Sequence, residues 1–358
     1  MARVAFYAPM KSPDSPKPSG DREMARNLMK AISAQGDQVD LASELRIFDK
    51  SGDTSLQDEL RQQARIEADR LIRELAPDTN LWVTYHNYYK APDLVGPAVC
   101  KARGIPYVQL ESTRAYSRLD GPWAGFAQAA HDACDAAKVV FYHTANDLIT
   151  LERERFGDQA LVELPPFLPT DKLPKAGSAD GPMLTVGMMR EGDKLASYRI
   201  LAESLSQLTG DWSLNIAGDG PARNKVEAMM APFGGRVQCL GQLDRPALQR
   251  LYETSSLLIW PGMNEAYGMV YLEAQAAGLP VAAQDRPGVR DVLMPSDYPT
   301  VEAGPEGLAR RVQSFLNDNH FRRAQGVLAR RYIARRHLMP AATNRFWNAV
   351  RPLAEVPA

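Results

Sequence analysis

Two glutamates, Glu265 and Glu273, stand in the stretch WPGMNEAYGMVYLEAQAAGLPV (Trp260–Val281), where an apolar strand gives way to a helix and then to another strand. The helix opens near Gly268, and the first N–H groups, at Gly268, Met269 and Val270, have no intrahelical acceptors. Together with the helix dipole they form an anion site suited to a phosphate. Gly268 lacks a Cβ, so a ligand can come close to the backbone there. Glu273 lies one turn beyond Met269, about 6 Å along the axis on the same face. It would repel a phosphate but could accept hydrogen bonds from vicinal hydroxyls such as those of a ribose. Glu265, in the loop before the helix, would reach across the phosphates to a second polyhydroxylated group. The plainer reading of both is that acids are favoured at a helix N-terminus.

Other loops add to this chemistry. VGMMREGDK brings Arg190 and Lys194 to the opening of a helix, an end where the dipole disfavours cations and where two of them would neutralise a diphosphate. IAGDGP places Gly218 and Gly220 directly after a strand; Arg223 occupies the third glycine position of the dinucleotide fingerprint, so that motif is excluded. CLGQL gives an open backbone edge at Gly241 where a base could be read. In the first half, APMKSPDSPKPSGDR ends at Ser19 and Gly20, before a helix opened by Asp21. This is either an N-cap turn or a mobile loop in which Gly20 lets a substrate approach. TYHNYYK places His86 and Lys90, and LESTR places Glu111, Ser112 and Arg114, at further strand ends. No residues have metal-ligand spacing, the five histidines are scattered singly, and there is neither a nucleophile elbow nor a Walker phosphate loop.

The elements that must position these residues alternate along nearly the whole chain. Strands are predicted at Val4–Tyr7, Val39–Ala42, Leu81–Tyr85, Tyr107–Leu110 and Val139–Tyr142, then at Leu184–Val186, Leu214–Ala217, Val237–Leu240, Leu257–Ile259 and Pro280–Ala283. Helical patterns fall between them, near Asp21–Ala34, Leu56–Leu75, Leu94–Ala102 and Ala127–Ala136, then near Ala196–Leu208, Arg223–Met230, Arg245–Glu253, Gly268–Ala277 and Gly307–Asn317. Strands apolar on both faces and separated by helices mean parallel sheets covered on both sides. PTDKLPKAGSADGP (Pro169–Pro182) holds no apolar run and reads as a linker. The expected architecture is therefore α/β, with two doubly wound, Rossmann-like domains facing an interdomain cleft, residues 1–170 and 171–340. The final helical segment, 341–358, is expected to pack back onto the first. In such sheets ligands bind outside the carboxyl ends of the strands.

A chain of 358 residues exceeds what one core usually supports, and 45% apolar with 24% charged residues is ordinary for a globular protein. A formal charge of −1 argues against a nucleic-acid partner. The three cysteines, Cys100, Cys134 and Cys239, sit in apolar patterns and fit reduced thiols. The start runs straight into a strand, so a secretory signal is not expected, and no window approaches the ~18–20 apolar residues of a membrane span. A cytoplasmic location follows as the expectation. The basic stretch FRRAQGVLARRYIARRH (Phe321–His337) reads as a solvated helix face, with peripheral contact to an anionic membrane surface, at its inner face, as the alternative.

Taken in order, these motifs resemble the retaining glycosyltransferases of the GT-B fold, family 4, whose carrying motif is E-x₇-E, here Glu265 to Glu273 inside NEAYGMVYLEAQAAGLPV. The resemblance is strongest from Leu184 to Leu293. It implies that a nucleoside-diphosphate sugar is the donor and that Arg190 and Lys194 hold its diphosphate. It further implies that Gly268, Met269 and Val270 cap the phosphates, Glu273 binds the ribose and Glu265 the transferred sugar. No cofactor or metal would be needed, and the acceptor would be a glycan, lipid or small molecule. Gly218 and Gly241 are donor-side candidates, and Gly20, His86 and Glu111 acceptor-side candidates. Two departures stand out. Arg190 comes two residues later than in many relatives, and GIPYVQLEST carries Glu111 and Ser112 where many relatives place a histidine. Either Glu111 or His86 takes that role, or the acceptor chemistry differs. A sugar-nucleotide epimerase and a non-catalytic nucleotide-sugar-binding protein are the alternatives.

Overall fold

The computed structural model describes residues 1–17 and 19–355. The chain divides into two compact units, the first running from Met1 to Pro165 and resuming at Met339, the second spanning Pro166–Leu338.

The first unit alternates β1 (Arg3–Tyr7), α1 (Gly20–Ser33), β2 (Gln38–Ser43), α2 (Thr54–Glu74), β3 (Leu81–Asn87), α3 (Gly96–Arg103), β4 (Tyr107–Ser112), α4 (Ala124–Ala136), β5 (Val139–Tyr142), α5 (Ala145–Arg153) and β6 (Ala160–Glu163). Its six strands lie in the order β2-β1-β3-β4-β5-β6, all pairings parallel. The order reverses at β1, so the carboxyl ends of β1, β3 and β4 frame the crevice where this architecture admits ligands. The central strands are buried on both faces: Val4, Phe6, Trp82, Val83, Val108 and Val140 are inaccessible to solvent. A buried polar node ties β3 to β4. Asp93 accepts from Thr84 Oγ1, from the Tyr107 hydroxyl at 2.7 Å and from the Val95 and Gly96 N–H groups at 2.9 and 2.8 Å. Burial holds its carboxyl above the ordinary range despite those donors.

The second unit continues with β7 (Met183–Val186), α6 (Asp193–Leu205), β8 (Leu214–Ala217), α7 (Arg223–Met230), β9 (Val237–Gly241), α8 (Arg245–Thr254), β10 (Leu258–Ile259), α9 (Met269–Ala276), β11 (Val281–Ala282), α10 (Val289–Val292), α11 (Gly304–Asn317) and α12 (Asn319–Arg336). Its five parallel strands lie in the order β11-β10-β7-β8-β9, which puts the reversal between β7 and β10. Trp260, Tyr198, Tyr271 and Phe315 are among the large, fully buried side chains of its core.

A last helix, α13 (Met339–Ala354), returns to the first unit. The Trp347 indole donates to the Ile32 carbonyl at 2.9 Å, the Thr343 hydroxyl to that of Ala31 at 2.8 Å, and Arg351 pairs with Asp37 at 2.9 Å.

Three sequence expectations need adjusting. The chain passes between units at Pro165 and Pro166, upstream of the 170/171 boundary read from composition. The stretch read as a linker is instead strapped to the second unit: Gly177 N–H donates to Ala277 at 2.8 Å, and a Cβ on Gly181 would stand 1.9 Å from the Thr254 carbonyl. Its glycines serve close packing rather than freedom. Finally, α5 and β6 were not anticipated. The four residues of β6 are all only half-buried, so they lack the apolar run of an inner strand; α5 announces itself through the Thr144–Asp147 capping box rather than through periodicity.

Candidate functional site

A cavity of about 770 Å³ opens in the second unit over the loops that follow β7, β8, β9 and β10. Its floor is made by stitching those loops together. Met189 N–H donates to Asp219 at 2.9 Å and Gly218 N–H to Gly241 at 2.8 Å. The strands that launch the loops pack so closely that a Cβ on Gly218 would stand 1.9 Å from the Gly187 carbonyl, and one on Gly220 2.4 Å from that of Met189. Both glycines also have φ near +150°, so only glycine fits without moving backbone.

On this floor the chain brings together Arg190, Lys194, Glu265, Gly218, Gly268, Met269 and Val270. Gly268 is the N-cap of α9 with φ +79°, no side chain caps the helix, and no acid occupies its first turn. The N-terminal N–H groups and the dipole therefore face the cavity without an anionic partner among the described residues. Arg190 is exposed on the rim, and Lys194 lies in the first turn of α6. The helix starts at Asp193, three residues before the expected Ala196, because Gly192 with φ +78° supplies its N-cap.

Glu265 is held from two sides. Lys194 Nζ forms an ion pair with its Oε1, and the indole N–H of Trp260 donates to the same oxygen at 2.9 Å. Oε2 keeps its lone pairs for a ligand. Trp260 is fully buried and packs edge-on against Tyr198 at 5.1 Å, with Lys194 Nζ 5.6 Å above its ring. Sequence reasoning quoted Trp260 only as the end of a strand; an indole just before a polar loop was the available signal. The loop itself is fixed by Met263 N–H on Ser197 at 3.1 Å and Asn264 on Asp193 at 2.9 Å, and Asn264 takes a left-handed φ of 50°.

Glu273 does not share this cavity. It lines a neighbouring one of about 460 Å³ with Tyr252, Arg245, Gln249 and the strap residues Leu168 and Lys172; Leu248 borders both. The Tyr252 hydroxyl donates to Glu273 at 2.8 Å. Burial raises the Glu273 carboxyl above the ordinary glutamate value, outweighing Tyr252 and Arg245, which pull it down. Gly241 lies outside the larger cavity too: its carbonyl holds Gly218, and Gln242 and Leu243 do the lining.

The first unit gathers its own group of titratable side chains at the carboxyl ends of its strands. His86 ends β3 and Glu111 ends β4, both with left-handed backbone, φ 65° and 58°. Such conformations cost of order 1–3 kcal/mol for non-glycine residues and concentrate at functional sites. His86 Nδ1 stands 3.5 Å from Asp21 Oδ1, in the first turn of α1. Burial pulls the His86 imidazole down, but the carboxylates of Glu111, Asp21 and Asp147 prevail and its pKa is raised. The Asp21 carboxyl is lowered chiefly by the His86 imidazole beside it. His143, just after β5, was not anticipated. Its Nδ1 lies 2.6 Å from the Leu164 carbonyl and its Nε2 3.6 Å from Glu111 Oε2. Gly20 is the first residue of α1, after the Ser19 cap, and a Cβ there would meet nothing within 4 Å.

The arginine-rich stretch forms α12 and divides: Arg323, Arg331 and Arg335 are exposed, as on a solvated helix face, while Arg322 and Arg330 bond inside the second unit. Arg322 is buried and donates to the Ala179 and Phe315 carbonyls at 2.9 Å, Arg323 pairs with Asp180 at 2.7 Å, and Arg330 binds the Ala276 and Pro174 carbonyls. Among the described residues no helix is long and apolar enough to cross a membrane.

Comparison with known proteins bears on this geometry. Residues 187–332, which contain the larger cavity, match the family described as Glycosyl transferases group 1. An uncharacterised glycosyltransferase of Methanocaldococcus jannaschii is 32% identical over 116 residues, 30% of this chain and 29% of that protein. The alpha-D-kanosaminyltransferase of Streptomyces kanamyceticus is 25% identical over 223 residues, 58% of each. The chain thus spans less than two thirds of either relative. Among solved structures, HepE of Anabaena in complex with UDP superimposes with a TM-score of 0.71 at 14% identity, over 98% of this chain and 100% of that one; the same protein with UDP-glucose gives 0.67 at 13%, over 99% and 100%. At such identities the likeness speaks for the fold. Residues 187–332 therefore match the family of glycosyl transferases group 1, on a chain that has the fold of the GT-B glycosyltransferases.

Proposed function

We propose that the protein transfers a sugar from a nucleoside-diphosphate sugar to an acceptor hydroxyl, with retention of anomeric configuration and without a metal ion. The observation that carries this reading is the convergence of Arg190, Lys194, Glu265 and the uncapped N-terminus of α9 in one cavity of the glycosyl transferases group 1 domain. Arg190, Lys194 and the N–H groups from Gly268 to Val270 would hold the diphosphate and take up the negative charge that grows on it as the glycosidic bond breaks. This is the charge stabilisation a divalent cation supplies elsewhere.

Glu265, with one oxygen engaged by Lys194 and Trp260, would use the other to accept hydrogen bonds from the donor sugar. Glu273 would accept from the ribose where the two cavities meet at Leu248, with Gln242 and Leu243 bordering the base. Structural neighbours carrying UDP and UDP-glucose support a nucleotide-sugar ligand. Retention follows if the acceptor attacks from the face the phosphate leaves, the phosphate oxygen taking its proton. Gly20, His86 and Glu111 would serve the acceptor side.

The test is a thermal-shift screen of the chain against nucleoside diphosphates and nucleotide sugars, followed by product analysis. A ligand of the folded state raises its melting temperature by mass action, about 2.7 kcal/mol at a hundredfold excess over Kd. A donor that stabilises the protein, and a transfer product of unchanged anomeric configuration formed in chelator, is the expected result. No nucleotide sugar binding, or Glu265→Ala leaving every detected activity unchanged, refutes the proposal.

A further inference from the structure

The loop after β3 carries a run of rings that the proposed donor chemistry does not use. From His86 the rings pass to Tyr88 at 4.8 Å, from Tyr88 to Tyr89 at 5.6 Å, and from Tyr89 to Trp123 at 5.7 Å, the last pair perpendicular. Trp123 is fixed from behind. Its indole N–H donates to the Asp49 carbonyl at 3.3 Å, and the turn at Gly52 lies so close that a Cβ there would meet Pro122 at 2.6 Å. The Lys90 backbone is held as well: its carbonyl accepts from the Asp49 N–H at 2.9 Å.

Two cations sit over the far end of this ladder. Lys90 Nζ is 5.5 Å from the ring centroids of both Tyr89 and Trp123, and Arg118 Cζ is 5.2 Å and 5.6 Å from the same two rings. Neither makes an ion pair among the described residues. Each gains from the ring quadrupoles, but a ring carries no net charge and neutralises neither cation. The nearby Asp49 carboxylate does not supply the missing charge. It is turned inward, bound to Gln57 at 2.7 Å and to the N–H groups of Ser51 and Gly52. An anion held by Lys90 and Arg118 would neutralise both and gain charge-assisted hydrogen bonds from them.

The near end of the ladder has the opposite character. Asp21, His86, Glu111 and His143 offer donors and acceptors suited to hydroxyls, at the carboxyl ends of β3, β4 and β5. Between the ends lie aromatic surfaces of the kind that take up the C–H face of a sugar ring. The geometry points to a binding site for a carbohydrate or polyol that carries a phosphate or carboxylate, its anion between Lys90 and Arg118, its body on Tyr88, Tyr89 and Trp123, its free hydroxyls toward His86 and Glu111. This rests on the glycosyltransferase reading in one respect: such a molecule would be the acceptor.

The experiment is calorimetric titration of the whole chain, saturated with nucleoside diphosphate so that the donor cavity is closed to phosphates. The ligands are hexose and inositol phosphates beside their unphosphorylated parents. Roughly tenfold or tighter binding of the phosphorylated forms is expected, the size of one charge-assisted hydrogen bond. Lys90→Gln/Arg118→Gln should abolish that preference, with melting temperature and nucleotide affinity unchanged, and Tyr89→Leu should weaken both ligand series alike. A parallel arm tests cosedimentation with phosphatidylcholine vesicles containing phosphatidylinositol. Binding there that is lost in the double variant assigns the anion to a lipid headgroup, and binding only of soluble phosphates assigns it to a free metabolite. Equal binding of parents and phosphates in solution with no cosedimentation, or a preference that survives the double variant, overturns the inference. If no nucleotide binds but the anion preference appears and is lost in the double variant, the site stands and the donor reading falls.

Discussion

Trp260 donates its indole N–H to Glu265 at 2.9 Å from a fully buried position, so the core of the second unit sets the orientation of a carboxylate in its cavity. The ring is wedged against Tyr198, whose hydroxyl in turn donates to the Gly187 carbonyl at 2.7 Å. Trp260→Phe keeps an aromatic filler and removes only the donor. Loss of a hydrogen bond to a charged acceptor costs about 1.5–3 kcal/mol. Sugar transfer should fall by roughly ten- to a hundredfold in kcat while nucleoside diphosphate binds as before. A kcat–KM split on the purified variant, checked by near-UV circular dichroism for an intact core, measures this. An unchanged kcat would remove Trp260 from the site.

Lys194 and Arg190 differ in what they leave behind when removed. Lys194 neutralises Glu265, whereas Arg190 stands exposed on the rim. Lys194→Ala should weaken nucleoside diphosphate binding by on the order of a hundredfold, because the anion loses a partner and Glu265 is left unopposed beside it. Arg190→Ala should cost about tenfold or less, with a shallower salt dependence than the wild type. Titration calorimetry at two ionic strengths separates the two. Equal losses would mean that Glu265 and the phosphates do not communicate through Lys194.

The alternation of strands and helices was legible because inner parallel strands must be apolar on both faces, as Val83 and Ile259 are, both inaccessible to solvent. The larger cavity was legible for a related reason: the residues lining it follow strand ends, and Gly268 marks a helix opening. What could not be read is side-chain company across long separations. The helical spacing of Glu273 from Met269 suggests one shared surface, yet Tyr252, from α8, gives Glu273 a different cavity. His143 looks like any isolated histidine until β5 is placed beside β4 and brings it 3.6 Å from Glu111. Gly218, a donor-side candidate, does line the larger cavity, and what the sequence hides is that the pairing of β7 with β8 also sets it against the Gly187 carbonyl.

Glu273 carries a stability prediction with a definite sign. Its folded pKa is raised, so its contribution to stability is fully present below the ordinary value of 4.5 and is lost as pH rises through the folded pKa. Above the ordinary value, burial of this carboxyl is a cost to the folded state. Glu273→Gln keeps an oxygen for the Tyr252 hydroxyl and removes the charge. Its melting temperature should exceed that of the wild type at neutral pH, and the gap should close as the pH falls below 4.5. The same variant should bind nucleoside diphosphates more weakly if the carboxylate receives ribose hydroxyls. A gap that is independent of pH would show that charge burial is not the cause.

The Asp21–His86 pair is predicted to stabilise the first unit only within a window. The raised His86 contributes fully below its ordinary value of 6.5 and loses that contribution as pH rises through its folded pKa. The lowered Asp21 contributes fully above 3.8 and loses it as pH falls through its own folded value. The pair is therefore strongest between those two ordinary values and weakens on either side. Asp21→Asn should lower the His86 pKa, read from its ring proton shifts by NMR, and should destabilise the chain most near the middle of the window. The His86 pKa should remain partly raised in this variant, because the Glu111 carboxylate acts on the imidazole as well. Glu111→Gln should lower it too, and Asp21→Asn/Glu111→Gln further than either single variant. An unchanged His86 pKa in Glu111→Gln would mean that the left-handed turn at Glu111 holds its carboxylate away from His86, and that Asp21 alone sets the charge at the end of β3.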